Sequence, residues 1–128
     1  MARTLLIDDE ELFRTTMEAA LRQFGHDTVS ARDGEEGVEL FERQRFDLVI
    51  TDLRLPGMSG PAVIKALRVL SPKARIIACG GGGTTLPVES HNLARQLGAD
   101  RVLHKPFTTH ELLLAIDEVL AGAKMPAE

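Results

Sequence analysis

The sequence predicts an α/β protein whose single core is a doubly wound, parallel, five-stranded sheet, a (βα)5 arrangement. Short apolar segments alternate five times with longer segments whose apolar residues recur at helical spacing. Residues 5–7 and 48–50 are continuously apolar, which is typical of parallel strands covered on both faces. A chain of 128 residues has the usual size of one domain. Right-handed crossovers between such strands place helices on both faces of the sheet.

The apolar segments predict five strands, at residues 4–7, 27–31, 47–51, 74–79 and 101–103. The second of these segments is the most polar. A strand covered on both faces needs apolar side chains on both, so a polar strand fits the middle of the sheet poorly. We therefore expect the second strand at an edge.

Two helices are predicted in the first part of the chain. The first carries Phe13, Met17 and Leu21 at helical spacing and ends near Gly25, because glycine often closes a helix. The second covers about residues 35–44, where apolar side chains again recur with the helical period.

Three more helices are predicted after the third strand. One covers about residues 61–70, with Ser59 in the N-cap position. A weaker pattern at residues 93–97 predicts the fourth. Thr108 with Glu111 forms a capping-box pattern that begins the last helix.

The composition indicates a folded protein without affinity of its own for polyanions. The chain is 44% hydrophobic, and its net charge of −4 with scattered Lys and Arg disfavours direct binding of nucleic acid. Its apolar runs are too short for membrane insertion, and no signal sequence precedes the first strand, so we expect a cytoplasmic protein. We expect one domain at residues 1–121, a short C-terminal tail at residues 122–128, and no output domain.

Charged residues follow three of the predicted strands. The first strand leads into Asp8 and Asp9, the third into Asp52, and the fifth into Lys105. Ligands of open parallel sheets bind at the carboxyl ends of the strands, so these side chains are candidates for one shared site. Carboxylates so close together repel each other unless a cation or a proton neutralises them. Oxygen ligands without His or Cys suit a hard ion, which predicts a Mg²⁺ or Mn²⁺ site and phosphoryl chemistry.

Each of these residues also has a purely structural explanation. Asp8 and Asp9 suit the amino end of the first helix, where the helix dipole favours acids. Asp52 suits a turn that includes residues 56–57, and Lys105 suits a solvated loop. Their joint occurrence at three strand ends of one sheet favours the shared site.

Three segments of the chain resemble the receiver domain of two-component response regulators, the family that includes the bacterial chemotaxis response regulator. They are LLIDDEE, VITDLRLPGMSG and VLHKPF, in the family's order and spacing, and the resemblance covers about residues 3–121. Any one segment alone is a weak signal, whereas the three together are specific. The resemblance implies the flavodoxin-like strand order 2-1-3-4-5.

The resemblance implies a role in phosphoryl transfer for two residues. Asp52 would accept a phosphoryl group from the phosphohistidine of a histidine kinase or a histidine phosphotransfer protein, and Lys105 would contact that group. The peptide between Lys105 and Pro106 would be cis, as it is in the family.

The same resemblance implies a Mg²⁺ site. Asp9 would bind the ion directly, and Asp8 would act through water or orient the ion. Asp52 and the backbone carbonyl of Arg54 would complete the protein ligands. The side chain of Arg54 occupies a position that influences the lifetime of the phosphoryl group in the family.

Two positions depart from the family's pattern. A Ser or Thr at the end of the fourth strand normally bonds a phosphoryl oxygen, but that position holds Gly80 here. The aromatic residue that normally lies on the fifth strand is replaced by Val102. The usual route from the phosphoryl group to a change of the protein surface therefore lacks both of its side chains.

Gly80 also begins a run of four glycines that is followed by Thr84 and Thr85. The run is not a nucleotide-binding loop, because no Lys-Ser or Lys-Thr pair follows it and it does not follow the first strand. We interpret it as a flexible connection from strand to helix. One hypothesis is that this flexibility lets a hydroxyl of Thr84 or Thr85, or a string of backbone amides, reach the phosphoryl group. The other is that Gly80 leaves phosphorylation weakly coupled to output.

The sequence is compatible with three classes of function. The favoured class is a stand-alone receiver, which catalyses only its own phosphorylation and dephosphorylation. It would bind an unidentified downstream protein through the face formed by the predicted fourth and last helices and the fifth strand. A pseudo-receiver that takes no phosphate would be expected to lack some of Asp8, Asp9, Asp52 and Lys105. A Mg²⁺-dependent aspartyl phosphatase would carry a second Asp in place of Arg54.

Overall fold

The computed structural model describes residues 2–80, 92, 95–96 and 98–122 of the chain. The strands are β1 (Arg3–Ile7), β2 (Asp27–Ala31), β3 (Leu48–Asp52), β4 (Ile76–Gly80) and β5 (Arg101–His104). The described helices are α1 (Glu11–Gln23), α2 (Gly34–Arg43), α3 (Gly60–Leu70) and α4 (Thr109–Leu120). Helix α4 is the last of the predicted helices, whereas the predicted fourth, at residues 93–97, lies largely outside the described residues. Over the described part of the chain, no helix has the length and apolar character needed to cross a membrane.

All five strands run parallel in one sheet, in the order β2-β1-β3-β4-β5. This confirms the doubly wound fold, the strand order that the resemblance implied, and the edge position expected for the polar second strand. Strands β1 and β3 pair from Thr4 with Leu48 to Ile7 with Thr51. The register brings the carboxyl ends of β1 and β3 side by side.

Helices cover both faces of the sheet, so the core has two layers. Successive strand residues alternate between the layers: Leu5 and Val49 belong to one, and Leu6 and Ile50 belong to the other. Helix α3 completes the first layer through residues such as Ile64, and helices α1 and α4 complete the second. These strand residues are at most 1% exposed, which explains why the strand segments are continuously apolar.

Side-chain caps begin three of the described helices. Ser59 accepts a hydrogen bond from the backbone N–H three residues on, as predicted. Thr108 and Glu111 form the predicted capping box, with reciprocal hydrogen bonds of 3.0 and 2.9 Å. Asp33 caps α2 by accepting the N–H of Glu36 at 2.8 Å, a cap that the predicted helix start at residue 35 did not include. Each such cap stabilises its helix by about 1 kcal/mol.

Strands β3, β4 and β5 each end one residue later than predicted, and the differences in β3 and β4 concern the site. Asp52 is the last residue of β3, paired with Cys79. Gly80 is the last residue of β4, paired with His104. The ladder of hydrogen bonds continues past the apolar segments, since Leu53 N–H donates to the carbonyl of Cys79 at 2.8 Å. Backbone pairing, rather than the apolar run, therefore sets these strand ends.

The turn after β3 requires a close approach at Gly60. A Cβ atom there would lie 2.3 Å from Cα of Leu53 and 2.4 Å from the carbonyl oxygen of Asp52. Backbone atoms cannot yield as the end of a flexible side chain can. Glycine is therefore the residue that fits where α3 returns to the end of β3, next to Asp52.

Candidate functional site

Three strands bring the predicted acids and the predicted lysine together at the carboxyl edge of the sheet. Asp8 and Asp9 follow β1, Asp52 ends β3, and Lys105 follows β5. The Lys105 ammonium lies 3.2 Å from Asp8 Oδ2 and 3.0 Å from Asp52 Oδ2. Its partners are 97 and 53 positions away in the sequence, so only the folded sheet assembles the group.

Each buried carboxylate uses its other oxygen to hold a loop. Asp8 Oδ1 accepts the N–H of Glu10 at 2.8 Å, and Asp52 Oδ1 accepts the N–H of Arg54 at 3.0 Å. Asp8 is 2% exposed and Asp52 is 7% exposed. Both carboxylates are therefore oriented by backbone hydrogen bonds as well as by Lys105.

Burial and charge oppose each other in the pKa values of this site. Burial raises the pKa of the Asp8 carboxyl, and the neighbouring Asp52 charge adds to the rise, which outweighs the lowering by the Glu10 N–H and by Lys105. Burial lowers the pKa of the Lys105 ammonium, but its hydrogen bonds and charge interactions with Asp52 and Asp8 outweigh burial, so this pKa is raised. One ammonium therefore faces more carboxylate charge than it can balance, a surplus that a bound cation would reduce.

The acids fit a divalent cation. Asp8, Asp9 and Asp52 each offer a carboxylate oxygen, and these oxygens lie within 4.8 Å of one another. All are hard donors of the kind that Mg²⁺ prefers. Asp9 and Asp52 also line an open cleft of about 730 Å³, together with Glu10, Leu53, Arg54, Leu55, Pro56 and Ser59. Through this cleft, Asp52 can be reached from solvent beside the same oxygens.

Gly80 contacts the site through its backbone. The N–H of Lys105 donates to the Gly80 carbonyl at 2.7 Å. A Cβ atom at Gly80 would lie 3.0 Å from Cδ1 and 3.4 Å from Cβ of Leu53. Leu53, the residue after Asp52, thus borders the space where a side chain at this position would begin. The sequence draws attention to the hydroxyl missing at Gly80 but gives no sign of this neighbour.

The other residues predicted to transmit a signal are only partly described. Val102 is 7% exposed and belongs to the core layer beneath α3. Thr84 and Thr85 lie outside the described residues.

The peptide between Lys105 and Pro106 is cis, as the resemblance implied.

Helix α1 adds two residues that the motifs did not include in the site. The Arg14 guanidinium donates to the carbonyl oxygen of Asp8 at 2.8 Å and so supports the turn from β1 to α1. The centroid of the Phe13 ring lies 4.1 Å from the Lys105 ammonium nitrogen. The helical spacing of Phe13 predicts a core residue, and no local pattern shows that its ring also meets a lysine from the far end of the sheet.

Comparison with known proteins identifies the family. The family model described as the response regulator receiver domain matches residues 4–117. The chain belongs to the response regulator receiver family. A probable chemotaxis protein CheY of Rhizobium etli is 35% identical over 125 residues, which cover 95% of each chain.

Other receiver relatives are longer proteins. The cell cycle transcriptional regulator CtrA of Caulobacter vibrioides is 33% identical over 126 residues, which are 98% of this chain and 53% of CtrA. The chain thus spans about half the length of several of the curated relatives that it matches.

Solved receiver domains share the fold. A response regulator receiver domain protein from Clostridium thermocellum has a TM-score of 0.88 at 28% identity, over 95% of this chain and 96% of that one. Chemotaxis protein CheY4 of Vibrio cholerae has a TM-score of 0.83 at 30% identity, over 93% of this chain and 98% of that one. Receiver domains are in general regulatory proteins that bind Mg²⁺ at an acidic pocket and interact with histidine kinases or phosphotransfer proteins. In this chain, Asp8, Asp9 and Asp52 form an acidic cluster that could hold a metal ion.

Proposed function

We propose that this receiver domain accepts a phosphoryl group on Asp52 from the phosphohistidine of a histidine kinase or a histidine phosphotransfer protein. Phosphorylation would then change the affinity of the domain for a downstream protein. The surroundings of Asp52 carry the proposal: its carboxylate lies 3.0 Å from the Lys105 ammonium and lines an open cleft beside a second acid, Asp9. A carboxylate nucleophile next to a positive charge suits phosphoryl transfer, in which charge builds on the phosphoryl oxygens.

The transfer consists of one bond formed and one broken. An Asp52 oxygen bonds to phosphorus as the phosphorus–nitrogen bond of the phosphohistidine breaks, and the electron pair of that bond returns to the imidazole, which takes up a proton. Lys105 supplies positive charge to the phosphoryl oxygens. Water later attacks phosphorus, the bond to Asp52 breaks, and inorganic phosphate leaves. The domain thus catalyses only its own phosphorylation and dephosphorylation.

Asp8, Asp9 and Asp52 would hold Mg²⁺ or Mn²⁺, with the backbone carbonyl of Arg54 as a further ligand. The ion, when bound, would offset negative charge on the phosphoryl oxygens. In this role Asp9 would bind the ion directly, because it is the exposed acid of the three. Asp8, which is buried and bonded to Lys105, would orient the ion or act through water.

The output of the receiver domain at residues 1–121 would be protein binding. The net charge of −4 argues against nucleic acid as the direct target. We place the binding face on β5, α4 and the predicted helix at residues 93–97. Leu114 of α4 supports this choice, because it is an apolar side chain that is 51% exposed.

Transmission from the site would be atypical, since Gly80 and Val102 stand where the family uses a hydroxyl and an aromatic ring. Gly80 would leave phosphorylation weakly coupled to output. The competing hypothesis assigns the missing hydroxyl contact to Thr84 or Thr85. Replacing both threonines by Ala should then shorten the lifetime of the phosphorylated form or abolish its conformational response. An unchanged lifetime together with an unchanged response would contradict the hypothesis that Thr84 or Thr85 supplies the hydroxyl contact.

Intact mass spectrometry with acetyl phosphate and Mg²⁺ tests the phosphoacceptor. We expect the wild-type protein to gain one phosphoryl group and Asp52→Asn to gain none. Asp47→Asn is the matched control, because it makes the same change at an exposed residue just before the same strand. Wild-type protein that binds Mg²⁺ but gains no phosphoryl group would be a pseudo-receiver. Rapid turnover of many phosphoesters would instead indicate an aspartyl phosphatase.

A further inference from the structure

Lys105 has a third neighbour besides the two carboxylates. Its ammonium nitrogen lies over the Phe13 ring, 4.1 Å from the ring centroid. Asp8 and Asp52 lie 3.2 and 3.0 Å from the same nitrogen. A cation at this distance over an aromatic face is attracted by the quadrupole of the ring. The ring thus adds an attraction of a different kind to a site defined by charged hydrogen bonds.

The Phe13 ring is itself held by packing. It meets the Phe107 ring edge to face, with centroids 5.7 Å apart and an angle of 85° between the ring planes. Phe107 follows Lys105 and Pro106 in the chain, so the two rings join α1 to the segment that carries the lysine. Both rings also pack against the core layer of α1 and α4. Packing against Phe107 and this core layer therefore holds the ring face in addition to its contact with Lys105.

The ring differs from the Asp52 carboxylate in what phosphoryl transfer does to it. A phosphoryl group on Asp52 alters the oxygens and the charge that Lys105 faces there. The Phe13 ring takes no part in the reaction, and its attraction does not require one orientation of the ammonium hydrogens. Unlike Asp52, the ring keeps its composition and its negative face before and after transfer.

We propose that Phe13 is a positioning residue for phosphoryl transfer, whose ring face holds the Lys105 ammonium beside Asp52 while the groups around that ammonium change. The role rests on the proposed function of Asp52 and acts on it through Lys105. A ring that only filled space between α1 and Phe107 would be replaceable by any side chain of similar shape, whatever the charge of its face.

The test therefore varies the charge of the ring face at nearly constant shape. Phenylalanine with one, two or three ring fluorines, installed at position 13 by amber suppression, weakens the negative face stepwise. The measurement is the rate of phosphoryl gain from acetyl phosphate at saturating Mg²⁺, a donor that needs no protein docking. We expect the rate to fall with each fluorine, to about fivefold below wild type for the trifluoro ring and for Phe13→Leu, whereas Phe13→Tyr keeps the wild-type rate.

Phe41→Leu is the matched control. Phe41 is also half-buried and stacks on a second ring, Phe46, at 6.4 Å, but it lies in the other core layer, so its rate should equal wild type. A second readout uses metal-free protein without a phosphodonor. The ring current of Phe13 should displace the side-chain resonances of Lys105, and Phe13→Leu should return them toward those of an exposed lysine such as Lys65.

Two results would overturn the positioning role while the proposed function stands. One is an equal rate of phosphoryl gain across the fluorinated series, and the other is a set of Lys105 side-chain resonances that do not shift in Phe13→Leu. If wild-type protein gains no phosphoryl group at all, the proposed function of Asp52 fails, and the positioning role fails with it. The two failures are therefore distinguishable in one set of samples.

Discussion

The ends of β1 and β3 and the end of β4 lie on the same edge of the sheet but are built differently. At β1 and β3, Asp8 and Asp52 each bond Lys105 with one oxygen and a backbone N–H with the other. At β4, Gly80 offers only its backbone, and the space beside it is bordered by the side chain of Leu53. Charge and hydrogen bonding define the first region, and packing defines the second. Acceptance of a phosphoryl group and transmission of its effect should therefore respond to different mutations.

The largest effect should come from the charged region. Lys105→Met removes the ammonium that bonds both buried carboxylates. We expect phosphorylation by acetyl phosphate to slow by about 100-fold, the usual loss when one preorganised donor to a transition state is removed. Lys65→Met, at an exposed position on α3, is the control in the same rate measurement. A loss of less than threefold in the Lys105 variant would show that the lysine is not needed for transfer.

The second effect compares two glycines that both face Leu53. Gly60→Ala would push a Cβ to 2.3 Å from the Leu53 backbone, and we expect a loss of about 3 kcal/mol in the free energy of unfolding. Gly80→Ala would meet only the Leu53 side chain, at 3.0 Å, and should cost about 1 kcal/mol or less. Urea denaturation measures both. Equal losses of unfolding free energy would mean that the backbone of the turn after β3 shifts as readily as the Leu53 side chain.

A third effect separates metal binding from folding. Asp8→Asn removes one carboxylate of the acidic cluster, and we expect Mg²⁺ affinity to fall by about tenfold in calorimetric titration. Without Mg²⁺ the variant should be at least as stable as wild type, because burial raises the pKa of Asp8 and so disfavours its charged form in the folded protein. Asp27→Asn, whose side chain is 72% exposed, should change neither quantity. A variant less stable than wild type in the absence of Mg²⁺ would contradict the second expectation.

The smallest effect should come from the packed region. Gly80→Ser restores the hydroxyl that the family uses at this position, and its Cβ requires a shift of a few tenths of an ångström in Leu53. We expect a larger change in the backbone amide spectra of β5 and α4 on phosphorylation than in wild type, with little change in the phosphorylation rate. Gly80→Ala separates the hydroxyl from the added Cβ. If both variants respond as wild type does, the hypothesis that Gly80 weakens the coupling of phosphorylation to output is wrong.

Much of the fold follows from local patterns. Strand segments are apolar because both faces of the sheet are covered, and Ser59, Thr108 and Glu111 cap helices through neighbours three residues away. Strand ends were the less predictable part. Asp52 and Gly80 are polar or small, yet backbone hydrogen bonds to the adjacent strand extend β3 and β4 to include them.

The residues of the candidate site also divide into those that the sequence predicts and those that only the structure shows. Asp8, Asp9, Asp52 and Lys105 could be chosen from the sequence, because parallel strands end at one edge and each of these residues lies at or just past such an end. The Phe13 ring beneath Lys105 could not, since its spacing is that of any core residue of an amphipathic helix.

The sequence by itself determined the alternation of strands and helices and the four charged residues of the site, because both are expressed in local spacing along the chain. Only the tertiary structure decided which oxygens face Lys105, that the ring of Phe13 lies beneath its ammonium, and that Leu53 borders Gly80. These contacts depend on strand register and on distances between elements that are remote in sequence. A few ångströms in those distances separate a hydrogen bond or a packed side chain from no contact at all.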